Sequence, residues 1–250
     1  MTASQVIEAL GLPAGARVDQ RVPKKLLIEN GAPTAADKKL INDGVELLTW
    51  VAALKPTTIG VPEFRDEIRE YLEIAVLSLQ ARSSGRLARL IELVHRAIPY
   101  PLVLLTEHPE GGSISFAHKR WAQNEEGKTV LDGDLTTAKL DVEDELGKPF
   151  LSSINLLSQR KADLLTLYQG WIVSTTALQA ASITGSFEVP ASPEKAAERA
   201  DALRVTSLLE SRIAALRSTA AKEKQMPKQV QLNLEIKKLK AELATARQQL

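Results

Sequence analysis

The chain has 250 residues, a formal net charge of +1 and 44% apolar residues, with aromatic residues at only 4%. This length allows one or two domains with a full hydrophobic core, and the composition excludes wholesale disorder. The absence of cysteine excludes disulfides, thiolate nucleophiles and cysteine-based metal sites. No segment has the pattern of a signal peptide or a transmembrane helix, so we expect a cytoplasmic protein with no membrane partner.

Three helices are expected at the start of the chain. The first spans about 6–10, and the second runs over 23–30 with its proline in the first turn. The third is expected over 35–54, because apolar residues recur there at helical spacing before Pro56. Gly44 lies on the apolar stripe of this third helix, which indicates either close packing on a neighbour or a weak point.

The period of the apolar residues then changes. Residues 71–80 are rich in β-formers and apolar on both faces, which predicts a central strand covered on both sides. An amphipathic helix over 86–98 follows, and a second apolar strand over 101–107 comes after it. This order predicts a right-handed crossover between two parallel strands.

Two further strands and a long helix complete the first part of the chain. The Gly-Gly turn before 113–119 favours a hairpin with the preceding strand, and another strand is expected within 129–140. A helix is expected over 161–181. We therefore predict an α+β fold, in which a mixed sheet of about four to five strands is flanked by helices.

The aromatic residues mark a boundary, since all ten lie at or before Phe187. Because aromatic side chains dominate core packing, we predict an α+β globular domain over 1–188 and a helical arm over 192–250. The arm carries 12 Lys and Arg against 7 Asp and Glu, a net charge of +5, while 1–191 carries −4. The near-zero total charge therefore conceals an acidic part and a basic part.

The arm has the apolar pattern of a coiled coil. A break at Pro227 separates two helices whose apolar residues are three and four apart, namely Leu209, Ile213, Leu216, Leu232, Ile236, Leu239 and Leu243. The proline favours an antiparallel helical hairpin, and the alternative is two separate helices that each bind a partner. Because an apolar seam must be buried against another helix, we expect these residues to bind a protein partner or a second copy of the chain.

No motif in the sequence identifies an enzyme, and we assign no catalytic residue, no metal ligand and no cofactor. Phosphate-binding glycine loops, His-Glu-x-x-His and Gly-x-Ser-x-Gly are all absent from the sequence. A nuclease would need two carboxylates and a lysine near one Mg²⁺ ion, and the best candidates are Glu107 with Asp132 or Asp134. Two Glu-x-Lys sequences, beginning at Glu126 and Glu235, lack the strand context that this chemistry requires.

Two basic clusters are candidates for weak nucleic-acid binding. Lys119 and Arg120 precede Trp121, and a cation beside an aromatic ring suits phosphate contact and base stacking. The second cluster consists of residues Arg21, Lys24 and Lys25. The alternative for both clusters is an ordinary solvated surface.

Three segments, in this order, resemble a bacterial family of unknown function, domain-of-unknown-function family 4391. They are Arg21-Val-Pro-Lys-Lys-Leu-Leu, Ile98-Pro-Tyr-Pro-Leu-Val-Leu-Leu and Lys228-Gln-Val-Gln-Leu-Asn-Leu-Glu-Ile-Lys-Lys-Leu-Lys. The similarity runs from about residue 10 to the C-terminus. It implies a small accessory protein encoded near helicases and DNA methyltransferases in phage-defence islands, and it implies no catalytic residues.

We therefore expect a non-enzymatic adaptor subunit that binds a helicase or DNA methyltransferase in a bacterial, restriction-like antiviral defence system. The alternatives are a divergent metal-dependent nuclease domain of such a system and a weak nucleic-acid-binding protein.

Overall fold

The computed structural model describes residues 1–123, 125, 127–142 and 144–250. The chain divides into two compact units, Met1–Leu178 and Gln179–Leu250. The boundary predicted between residues 188 and 192 lies in the loop between two long helices, 164–184 and 193–222.

The first unit is built on a mixed six-stranded sheet, one strand larger than the upper limit of the prediction. Its strands are β1 (Arg17–Arg21), β2 (Val45–Leu54), β5 (Ile74–Ala81), β6 (Leu102–His108), β7 (Gly111–Trp121) and β8 (Thr129–Lys139), in that spatial order. A separate two-stranded sheet contains β3 (Phe64–Arg65) and β4 (Glu70–Tyr71). The α+β class and the mixed sheet are as predicted.

Helices lie on the sheet and at its ends. The helices that begin in the first unit are α1 (Ala3–Ala9), α2 (Lys24–Gly31), α3 (Ala35–Gly44), α4 (Pro56–Ile59), α5 (Leu87–Ala97), α6 (Asp144–Ser153) and α7 (Leu164–Thr184). Short 3₁₀ turns occur at Ala14–Ala16 and Leu156–Ser158. The sequence predicted α1, α2, α5 and α7 close to these bounds, but it did not predict α4 or α6.

The β5–α5–β6 unit has the predicted parallel arrangement. Ala75 pairs with Leu102 and the register runs without interruption to Gln80 and Glu107. α5 packs its apolar stripe on one face of the sheet, in a core that includes Leu90, Val94 and residues of β2, β5 and β6. On α7, the buried Tyr168 hydroxyl bonds to the backbone of β6 and β7. The centre of the sheet is thus covered on both sides.

The helix predicted over 35–54 is wrong in its second half. α3 ends at Gly44, and the next ten residues form β2, which pairs with β1 on one side and β5 on the other. Val45 and the Thr49-Trp50-Val51 run favour a strand, and two partner strands outweigh the helical spacing of the leucines. Gly44 does mark close packing, since a Cβ there would lie 3.3 Å from Leu90 Cδ2.

The second unit contains a pair of long helices, α8 (Pro193–Lys222) and α9 (Met226–Arg247). Ser192 caps α8 by accepting a hydrogen bond from the Lys195 amide. The helices are separated by residues 223–225, so Pro227 lies in the first turn of α9 and not at the break. Among the described residues, no helix is long and apolar enough to cross a membrane.

Candidate functional site

The predicted apolar seam is buried between α8 and α9. Ile213, Ile236 and Leu239 form a buried cluster, and the remaining seam residues that pack on it are Leu209, Leu216 and Leu243. Leu232 is half-buried. The structure thus agrees with a helical pair within one chain, in preference to two helices that each bind a separate partner.

Two ion pairs show that the helices run antiparallel. Arg212 Nη2 lies 2.7 Å from Glu235 Oε1, and Arg247 Nη2 lies 2.6 Å from Glu210 Oε1. Arg247, near the end of α9, therefore contacts a residue that lies earlier in α8 than the partner of Glu235, as expected for antiparallel helices. Exposed pairs of this kind add little stability, so the buried seam supplies most of the energy that holds the pair together.

The pair also carries a second, exposed set of apolar side chains that the sequence analysis missed. On α9, Met226, Val230 and Leu234 expose 72%, 55% and 62% of their surface. A spacing of four places them on one side of the helix, turned away from the seam. On α8, Val205 and Leu208 are also exposed, at 39% and 66%. We call Met226, Val230 and Leu234 the outer stripe.

The basic cluster near the N-terminus is partly assembled. Lys24 donates to the Asn42 carbonyl at 2.8 Å, and its pKa is lowered by burial and by the positive charges of Arg82 and Arg21. Arg82 directly follows β5 and was not in the predicted cluster. Lys25 Nζ lies 3.6 Å from Glu29 on the same helix, so part of its charge is neutralised.

The second basic cluster is not a surface patch of three residues. Lys119 exposes only 1% of its surface, and its ammonium donates to the carbonyls of His95 and Ile98 at the C-terminal end of α5. Burial, with a smaller effect of Arg96, lowers the pKa of Lys119 to about 7. The side chain therefore faces the core, where it cannot reach a nucleic-acid phosphate.

The two neighbours of this lysine remain accessible in part. Arg120 Nε lies 3.6 Å from Asp132 Oδ1, and its Nη1 donates to the Trp121 carbonyl. Trp121 is half-buried. Burial thus removes Lys119 from the predicted nucleic-acid surface and leaves Arg120 with an acidic partner.

The carboxylates proposed for a nuclease centre do not converge. Glu107 pairs with Gly112 and Asp132 pairs with His118, and six residues of β7 separate these positions by roughly 20 Å. Glu107 Oε1 instead accepts from the Ala3 amide, and Asp132 binds Arg69 at 2.9 Å. Asp134, two residues from Asp132 on β8, is similarly remote from Glu107.

No group of three or more His, Asp or Glu side chains in the described part of the chain is placed to hold a metal ion. The Glu-x-Lys sequence at Glu126 lies outside the described residues. The second sequence, at Glu235, lies on α9, where this carboxylate binds Arg212.

A polar chain that leads from the buried Tyr71 to the surface, near the end of β7, was not predicted. Tyr71 Oη lies 2.5 Å from His118 Nδ1, and His118 Nε2 lies 2.8 Å from Gln169 Oε1. Because Oε1 only accepts, Nε2 carries the imidazole hydrogen and Tyr71 donates to Nδ1. Burial lowers the pKa of His118, which favours the neutral ring. The three residues come from β4, β7 and α7, so no local sequence pattern joins them.

In the second unit, the feature that calls for a functional explanation is the helical pair with its exposed apolar stripe. The family described as Domain of unknown function (DUF4391) matches residues 10–243. The chain belongs to this family. No curated protein and no solved structure matches this DUF4391 member. The resemblance read from the three segments is thereby confirmed for the family, while its association with phage defence stays a prediction.

Proposed function

We propose that this protein is an accessory subunit that binds a helicase or DNA methyltransferase of a bacterial defence system through the exposed surface of its α8–α9 pair. The outer stripe is the observation that carries this proposal. Its three side chains expose more than half of their surface although the buried seam already joins α8 to α9. Large apolar side chains grouped on one side of a helix mark an interaction surface.

The outer stripe is suited to a partner helix. Met226, Val230 and Leu234 span two turns of α9 with a spacing that fits the groove of a second amphipathic helix. Methionine at one end is an adaptable contact that fills irregular gaps. A helical pair with one stripe buried and one exposed can gain a third helix without rearranging its own core.

The charge of the helical arm favours a different protein over a second copy. Residues 192–250 carry a net charge of +5, so two such arms repel each other on approach. An acidic partner surface gains from the same charge and associates faster. The inference that the partner acts on DNA comes from the family resemblance alone. The class of partner is therefore part of the proposal.

Co-expression with a helicase or DNA methyltransferase whose gene adjoins that of this chain tests the proposal. We expect the wild-type protein to co-elute with that partner, and we expect Val230→Asp with Leu234→Asp to abolish co-elution. Gln231→Asp with Thr245→Asp is the matched control, because it adds the same two negative charges at exposed positions of α9 outside the outer stripe. Circular dichroism should show equal helix content in all three proteins.

Two results would overturn the proposal. One is the absence of co-elution with either class of partner, and the other is co-elution that survives the double substitution. Sedimentation of the isolated protein adds a further check, since a stable homodimer that depends on the outer stripe would show that a second copy, and not a partner protein, occupies it.

A further inference from the structure

A groove in the first unit lies between α5 and the outer strands β7 and β8. Its volume is about 920 Å³, which is within the range of small-molecule sites. Residues from the start of α5, the β6–β7 turn and β8 line it. It is independent of α8 and α9, and the function proposed above makes no use of it.

The floor of the groove contains a row of polar side chains on three adjacent strands. Thr106 pairs with Ser113, and Ser113 pairs with Lys139, so their side chains lie side by side on the α5 face of the sheet. Ser113 and Lys139 line the groove, and Thr106 lies next in the row. Lys139 is exposed, which leaves its ammonium accessible from the groove.

The two hydroxyls of this row are buried without a hydrogen-bond partner among the residues that the structure describes. Thr106 exposes none of its surface and Ser113 only 6%. Leaving a buried hydroxyl unpaired is costly, and each such group in a folded protein calls for an explanation. Because Ser113 lines the groove, a molecule bound there can supply the missing partner.

The start of α5 faces the same end of the groove. β5 and β6 are parallel, so the loop that enters α5 and the turn after His108 meet at one edge of the sheet. Arg86 precedes the helix in a left-handed conformation, and no side chain caps the first turn. Ser84 and Ala88 line the groove there. The Leu87 amide already donates to the Ser84 carbonyl, and the N–H groups that follow it, together with the helix dipole, attract an anion at such a position.

Apolar side chains line the groove from the first turn of α5 onward. Leu87 and Ile91 come from α5, and Leu131 and Leu135 come from β8. Ile91 is buried, while the three leucines are half-buried and offer open apolar surface. A ligand that fills the groove therefore carries an anionic end and a flat or apolar body.

Carboxylates at the rim identify the remaining part of the ligand. Glu110 and Asp141 lie at the end with Lys139, and Asp134 lies further along β8. Glu92 is already paired with Arg96 at 2.8 Å. Exposed carboxylates beside an anion site oppose a bare phosphate, but they suit a phosphate that brings Mg²⁺, which binds through one or two carboxylates and the phosphate oxygens.

From these observations we propose that the groove binds a nucleotide together with Mg²⁺. The phosphates lie between the first turn of α5 and Lys139, where Ser113 donates its hydroxyl hydrogen. The base packs among Leu87, Leu131 and Leu135. Nucleotide binding at the carboxyl ends of parallel strands is consistent with the general position of ligands in sheets that contain such strands.

Isothermal titration of the full chain with ATP, AMP and inorganic phosphate, each with and without Mg²⁺, tests the proposal. We expect saturable binding of ATP that depends on Mg²⁺, and inorganic phosphate should bind far more weakly. Lys139→Ala should weaken ATP binding about tenfold, which corresponds to one charged hydrogen bond. Lys161→Ala is the control, because Lys161 is exposed and lies outside the groove.

Ser113→Ala separates a ligand-binding role from a structural one. Removing an unpartnered buried hydroxyl should leave the melting temperature unchanged or raise it, while ATP binding should weaken. The proposal is overturned if none of the nucleotides binds at millimolar concentration, or if both Ser113→Ala and Lys139→Ala bind ATP like the wild type. Equal binding of inorganic phosphate and ATP would likewise rule out a nucleotide site.

Discussion

Arg89 on α5 holds Asp37 on α3 with two parallel hydrogen bonds. Nε donates to Asp37 Oδ1 and Nη2 donates to Oδ2, each at 2.9 Å. Thr34, which caps α3, also donates its hydroxyl hydrogen to Oδ2 at 2.8 Å. The carboxylate therefore joins the start of one helix to the first turns of another. This bidentate geometry is available to arginine and not to lysine.

The first prediction concerns Asp37→Asn. The hydrogen bonds from Arg89 and Thr34 lower the pKa of Asp37 to about 2, below the unfolded value of 3.8. The carboxylate thus contributes stability that is fully present above about pH 4 and is lost as the pH falls toward 2. We expect Asp37→Asn to lower the melting temperature at pH 7 by several degrees. We also expect the melting temperature of this variant to fall less steeply than that of the wild type between pH 4 and pH 2.

Thermal unfolding between pH 2 and pH 7 measures the effect, and Asp43→Asn on α3 serves as the exposed control. If Asp37→Asn retains the wild-type slope between pH 4 and pH 2, the hydrogen bonds do not set the pKa of Asp37.

A second prediction concerns the buried Lys119. Its pKa of about 7 in the folded state lies below the model-peptide value of 10.5 for the unfolded state. Between these values the unfolded state binds the extra proton, so stability rises as the pH increases from 7 to 10.5, by about 1.4 kcal/mol for each unit of pKa difference. Lys119→Met should remove this rise.

Urea unfolding at several pH values provides the measurement. Lys161→Met, at an exposed position, is expected to keep the wild-type pH dependence. A pH dependence that is the same in Lys119→Met and in the wild type would contradict burial as the cause of the lowered pKa.

The third prediction concerns the proton on His118. The hydrogen bonds to Tyr71 and Gln169 select the neutral ring with hydrogen on Nε2. Nitrogen-15 NMR at pH 7 should show this tautomer. Tyr71→Phe leaves Nδ1 without a donor in a largely buried site, so we expect a loss of about 1–3 kcal/mol in the free energy of unfolding. A protonated ring at pH 7 would exclude the hydrogen-bond assignment.

The fourth prediction concerns the close approach of α2 to α5. A Cβ at Gly31 would lie 2.6 Å from the Leu93 carbonyl oxygen and 2.8 Å from Ala97 Cβ. Gly31→Ala therefore forces a backbone shift, and we expect a loss of about 1–3 kcal/mol in the free energy of unfolding. Gly15→Ala is the matched control, since a Cβ there meets no atom within 4 Å. Chemical denaturation of both variants decides the matter, and equal stability would refute the steric argument.

The periodicity of the sequence was sufficient to predict the central elements of the first unit. The run of β-forming residues in β5 is apolar on both faces, and the apolar residues of α5 recur every three or four positions. Both elements were therefore predicted, together with β6 as the parallel partner of β5. β2 was misassigned because its apolar residues fit helical and strand periods alike. Pairing with β1 and β5 decides its conformation, and that pairing is not local information.

The candidate sites show the same limit. Alternation along β7 places Lys119 on the face of Ser113 and Ser115, but only the position of α5 shows that this face is buried. Arg82 lies far from Arg21 in sequence and joins it through the pairing of neighbouring strands. Met226, Val230 and Leu234 follow a spacing of four in the sequence, but the sequence alone does not show which apolar stripe of α9 is left uncovered.

The strands of the main sheet occur in space in almost the same order as along the chain, with only the small β3–β4 hairpin set aside. Each strand can therefore pair with one that has already been synthesised, and the sheet can grow from β1 toward β8 during translation without waiting for distant segments. The amide of Ala3 on α1, which donates to Glu107 on β6, can find its acceptor only after β6 has been synthesised. Docking of α1 thus follows the assembly of this part of the sheet.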